Sequence, residues 1–73
     1  MWIRKQNENA MLNLDLCEEI IVVPYGNDQY SIAAYQNKNK HYIGIYKTKE
    51  EADKAFRYLH GRMAWDITLI DMD

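Results

Sequence analysis

The sequence predicts an α+β fold, with an antiparallel meander sheet of four to five short strands and one C-terminal helix, about residues 49–64, packed on one face. Three observations predict it. Short runs rich in β-branched and aromatic residues alternate with polar, turn-forming clusters through residue 47. From Thr48 the apolar spacing changes to a helical one, behind a capping signature. The connections are short, which favours antiparallel neighbours over crossovers.

Residues 2–6 read as a short strand, and Asn7, Glu8 and Asn9 read as the turn of a hairpin. Residues 11–14 and 18–23 follow, and the pattern is open between one strand with a break and two strands. The unbroken run Ile20, Ile21, Val22 and Val23 suits a strand covered on both sides. Pro24 to Asp28 reads as a turn, because proline lacks an amide and Gly26 tolerates positive φ. In residues 29–36, Tyr30, Ile32 and Ala34 share one face, and Ser31, Ala33 and Tyr35 the other. Asn37 to Lys40 reads as a second hairpin turn. In residues 41–47, one face carries Tyr42, Gly44 and Tyr46 and the other carries Ile43 and Ile45.

Thr48 and Glu51 form a capping box at the start of the helix. Glu50, Glu51 and Asp53 sit where the helix dipole favours negative charge. Ala52, Ala55, Phe56, Leu59 and Met63 recur on one stripe, opposite Lys49, Asp53, Lys54 and Arg57. Gly61 marks either the end of the helix or an interior position, with the helix continuing to about Ala64. Residues 66–72 alternate as a last strand, with Leu69 and Ile70 on opposite faces.

The 73 residues form a single domain, 1–73. Nearly half are apolar (48%), and the nine aromatics argue against disorder. A membrane span needs about 20 consecutive apolar residues, and the longest run stops at Pro24. The opening residues do not read as a signal peptide. One cysteine forms no internal disulfide, which favours the cytoplasm. Cys17, His41 and His60 fall short of the roughly four ligands of a structural zinc site, so no metal and no cofactor is expected. The net charge of −2 divides into a basic stretch over residues 32–62 between acidic neighbours.

No catalytic motif is present: there is no phosphate loop, nucleophile elbow or paired metal-binding histidines. Ser31 reads as a polar position on a sheet face. Glu18 and Glu19 are adjacent on a strand and point to opposite sides, so they share no site. Acidic neighbours raise the pKa of a thiol, so Cys17 reads as inert. The chain is therefore expected not to be an enzyme. The aromatics exceed what one helix on one small sheet obviously needs. Trp2, Tyr30, Tyr35, Tyr42 and Tyr46 are the candidate partner-binding residues, because exposed Tyr and Trp anchor interfaces. A nucleic-acid alternative uses the basic and aromatic stretch 35–47, with Lys38, Lys40, His41 and Lys47 meeting phosphates while tyrosines stack on bases. Against it stands a pI near 5.6, since such footprints usually come with values above about 9.

Two stretches carry a resemblance. The opening Met1-Trp2-Ile3-Arg4-Lys5-Gln6, and the strand-to-helix join in which Gly44, Tyr46, Thr48, Glu50 and Ala52 alternate, resemble very small proteins of unknown function from low-GC Gram-positive bacteria and their phages. The resemblance covers the two ends of the chain, outside residues 10–40. It implies a phage, prophage or mobile-element accessory protein, and it assigns no residue a catalytic role. The expected function is a small non-catalytic module that docks on and modulates a host protein, for example by inhibiting a defence enzyme. A self-associating homodimer is a further alternative.

Overall fold

The structure is a computed structural model that describes residues 1–65 and 69–72. In chain order the elements are β1 (Trp2–Arg4), β2 (Met11–Asn13), a 3-10 turn (Leu14–Leu16), β3 (Glu19–Tyr25), β4 (Gln29–Gln36), β5 (Asn39–Tyr46), α1 (Lys49–Ala64) and β6 (Leu69–Asp71). The fold is α+β, as the sequence predicts.

The strands divide into two three-stranded sheets, of order β2-β1-β6 and β3-β4-β5. Only the second is a full antiparallel meander. The division has a local cause. The Asn13 side chain accepts a hydrogen bond from the amide of Asp15 at 3.1 Å, and this Asx contact turns the chain into the 3-10 segment. Residues 11–14 and 18–23 are thereby two strands, and they belong to different sheets. β1 pairs antiparallel with β2, placing Ile3 opposite Leu12. Its other edge pairs parallel with β6, placing Ile3 opposite Ile70. Within the expected last strand, residues 69–71 pair in this way, and residues 66–68 lie outside the described residues.

Turn chemistry sets the larger sheet. Asn37 and Lys38 both have positive φ, 53° and 70°, and join Gln36 to Asn39 in a two-residue hairpin of the type that matches strand twist. Gly26 and Asp28 are also left-handed, in a three-residue loop between Tyr25 and Gln29. The turn is thus shorter than the sequence suggests. Pro24 and Tyr25 are the end of β3, because an edge strand accommodates a residue without an amide.

A register shift in β5 lies between the partners of Ile32 and Ala33: Ile32 faces Gly44 whereas Ala33 faces Tyr42, leaving Ile43 as the extra residue. The bulge breaks the expected alternation. Tyr42 and Ile45 come to one face, opposite Ala33 and Ser31, while Gly44 and Tyr46 come to the other, opposite Ile32 and Tyr30.

α1 packs on the β3-β4-β5 sheet. The Thr48 hydroxyl accepts from the Glu51 amide at 3.1 Å, and the helix continues through Gly61 to Ala64. Ala52 and Leu59 are buried, and Ala55, Phe56 and Met63 pack beside them. One core joins both sheets and the helix: Ile3, Leu12, Leu14, Ile32, Ala34, Ile43, Leu59, Ile70 and Met72. Among the described residues, no helix is long and apolar enough to cross a membrane.

A candidate protein-binding face

The helix covers one side of the β3-β4-β5 sheet, and among the described residues no element covers the other. Strand alternation places Ser31, Ala33 and Tyr35 of β4 on this open side, with Ile21, Val23 and Tyr25 of β3 and Lys40, Tyr42 and Ile45 of β5. The central strand supplies small residues and the flanking strands supply large ones. The Tyr25 and Tyr42 rings, which come from strands on either side of β4, meet edge to face with centroids 5.0 Å apart. Ser31 and Ala33 between those strands are fully buried. Ile21, Tyr42 and Ile45 each keep more than a third of their surface in water. The open side is thus an apolar and aromatic surface with a closed floor.

One cation is built into it. The Lys40 ammonium lies 5.7 Å from the Tyr35 ring centroid and 5.6 Å from that of Tyr42, within cation–π range of both. The neighbouring Tyr35 hydroxyl, and after it that of Tyr42, push the Lys40 pKa up. At the far end the β1–β2 turn borders the face, where Gln6, Asn7 and Glu8 line a groove with Tyr25, Tyr42 and Ile45. Gln6 fixes this border: its amide donates to the Ile43 carbonyl at 3.0 Å, and its side-chain oxygen accepts from the Ile45 amide at 2.7 Å.

The five aromatic candidates divide three ways. Tyr35 and Tyr42 are on the open face. Trp2 is on the outer side of the small sheet, about half exposed beside Leu69, its partner in register. Tyr30 and Tyr46 are on the helix side, where Tyr46 packs against the core. A Cβ on Gly44 would collide with the Tyr46 ring, so the glycine is there to admit the tyrosine. Tyr30 and Tyr46 therefore lie off the open face: α1 covers their side of the sheet, and the β5 bulge brings Tyr46 to it.

The basic candidates do not converge either. Lys38 is in the hairpin turn and Lys40 is on the open face. His41 pairs with Ala34 on the helix side, half-buried. Lys47 lies by Asp28, Tyr30 and the start of the helix. Sequence reasoning missed Ile21, Tyr25 and Ile45. Tyr25 follows Pro24 in a stretch that reads as a turn, and simple alternation puts Ile45 on the face opposite Tyr42, which the bulge reverses.

Other features are structural. Burial pushes the Cys17 thiol up, which keeps it protonated and slow to react. Glu18 and Glu19 lie beside it on a groove lined by Leu14, Ile20, Phe56 and Met63. Among the described residues, no three His, Cys, Asp or Glu side chains are grouped to hold a metal. No family model matches the chain, and neither a curated protein nor a solved structure matches it.

Proposed function

We propose that this chain is a small non-catalytic binding module that docks on a host protein through the open face of the β3-β4-β5 sheet. The observation that carries the reading is the arrangement of Ile21, Tyr42 and Ile45, each more than a third exposed, on a face that also holds a lysine between two tyrosines. Partly exposed aromatics on a rigid sheet lose little side-chain entropy on binding, and they are the residues that dominate interface energies. The Lys40 cation, set beside apolar surface, favours a partner that offers a carboxylate next to a hydrophobic patch. The resemblance at the two ends of the chain supports a phage or mobile-element setting in the cytoplasm, in which the module modulates a host enzyme, for instance one of defence.

The test is affinity capture from a host lysate with three baits: the native chain, Tyr42→Ala and Trp2→Ala. The expected result is a protein enriched by the native chain and by Trp2→Ala, and lost with Tyr42→Ala. Equal enrichment by all three, or enrichment of nothing, removes the reading. Binding of nucleic acid is the second reading, favoured by Lys40 lying between two tyrosines. It requires a shift of labelled oligonucleotides at about 50 mM salt, where electrostatic affinity is greatest.

A further inference from the structure

The two edges of the β3-β4-β5 sheet are treated differently. The β5 edge is capped at its bulge, where Gln6 takes the Ile43 carbonyl and the Ile45 amide. The β3 edge is open. Pro24 has no amide, and within a sheet proline sits where that position faces away from the neighbouring strand. Ile20 and Val22 share its parity in β3, so their amides and carbonyls also face away from β4. Among the described residues, no hydrogen bond reaches these groups. An unpaired run of this kind is a template for another strand.

The usable edge is bounded at both ends. Beyond Val22 is Pro24, which donates nothing. Beyond Ile20 is Glu18, whose amide is already given to the Tyr35 carbonyl at 2.8 Å. What remains is two residues, Ile20 and Val22, placed symmetrically about Ile21. We propose that β3 pairs antiparallel with β3 of a second copy of this chain, on a two-fold axis at Ile21. Ile20 of each copy then exchanges both backbone hydrogen bonds with Val22 of the other, and all four free amides find acceptors. The two Ile21 side chains lie next to each other on the open face, where each monomer leaves Ile21 38% exposed. Glu19 falls opposite Val23, and the two Glu19 carboxylates stand roughly 14 Å apart at the rise of an antiparallel strand, beyond the screening length of physiological salt. No like charges oppose. The β3-β4-β5 sheets of the two copies become one six-stranded sheet with β5, capped at its bulge by Gln6, at each outer edge. This pairing uses the edge of the sheet, and of the three exposed residues proposed to meet a partner on its face it engages Ile21 alone, leaving Tyr42 and Ile45 open.

Sedimentation equilibrium and cysteine cross-linking test it together. The native chain is expected to show a concentration-dependent mass reaching twice 8.7 kDa. In a Cys17→Ser background, Ile21→Cys places two thiols across a non-hydrogen-bonded pair, within disulfide reach, and is expected to oxidise to a covalent dimer. Val23→Cys faces Glu19 and is expected to cross-link far more slowly. Ile21→Lys puts like charges on the axis and is expected to raise the dimer Kd roughly tenfold or more, with an unchanged circular dichroism spectrum. A monomer mass at all concentrations up to about 1 mM, a range reaching the weakest dimer free energies of interest, overturns the proposal. So does cross-linking at Val23 that equals that at Ile21, or an Ile21→Lys dimer as tight as the native one.

Discussion

The two sides of the β3-β4-β5 sheet come from the same three strands, yet they are built on opposite plans. On the helix side the central strand carries the bulk: Ile32 and Ala34 sit against Leu59, with Ile43 filling in from the bulge. On the open side the central strand carries Ser31 and Ala33, and the bulk arrives from the flanks as Tyr25, Tyr42, Ile21 and Ile45. A covered side closes its core with a second layer. An uncovered side has to close over its own central strand, and small residues there let the flanking rings meet. The difference teaches where stability and recognition reside in this molecule. The helix side holds the fold together, and the open side leaves large side chains only partly dehydrated.

Substitutions that empty one side and then the other test the contrast most strongly. Ile32→Ala removes a fully buried side chain and is expected to destabilise by about 2–5 kcal/mol, which threatens folding at this chain length. Ile45→Ala, on the open side at 37% exposure, is expected to cost less than about 1 kcal/mol. Urea unfolding of the two variants is the measurement. Equal losses would show that the open side is as much a core as the other. Gly44→Ala comes next. Its Cβ would meet the Tyr46 ring, so overpacking of about 1–3 kcal/mol is expected. The measured loss should fall when Tyr46 is shortened to Leu in the same chain, since the clash is with the ring.

Much of this plan is legible in the sequence, and the illegible part has definite causes. The span of β4, residues 29–36, and the helix, residues 49–64, are read correctly because strict alternation and a capped 3.6-residue stripe are local signals. The Asn37 and Lys38 turn is legible for the same reason. Pairing is another matter. Nothing in residues 2–4 says that β1 takes β2 on one edge and β6 on the other, because a three-residue strand has no pattern long enough to name its partners. The β5 bulge is equally silent. It shifts the register by one residue at Ile43, sending Tyr46 inward and Ile45 outward, the reverse of the alternating reading. Of the four tyrosine candidates on this sheet, Tyr35 and Tyr42 lie on the open side and Tyr30 and Tyr46 on the helix side, and α1 decides the difference by choosing which side to cover.

The cover itself can be loosened. Thr48 holds the first turn of α1 through the Glu51 amide, and that turn carries Ala52 onto the sheet. Thr48→Ala is expected to cost about 1 kcal/mol, and Thr48→Ser to recover most of it. Hydrogen exchange should localise the change to the first helical turn, with the amides of β4 protected as before. Loss of protection spread evenly over the sheet would mean that the cap supports the whole domain and not the cover alone.

The smallest expected effect is also the most pointed. Ser31 is fully buried on the open side, and its hydroxyl has no hydrogen-bond partner among the described residues. A buried hydroxyl without a partner forfeits its hydration for nothing, a cost of about 1–3 kcal/mol in comparable sites. Val23 and Ile45 are its neighbours in register, and neither side chain offers a polar atom. A position whose only need is small size is met as well by alanine. Ser31→Ala is therefore expected to leave stability unchanged or to raise it by up to about 1 kcal/mol, read as a small increase in Tm. Ser31→Val is expected to lower it, because a methyl in place of the hydroxyl and a second methyl beside it would lift the Tyr25 and Tyr42 rings from their contact. If Ser31→Ala instead destabilises the chain clearly, the hydroxyl has a partner in solution, and the open side is held together by polar contacts as well as by size.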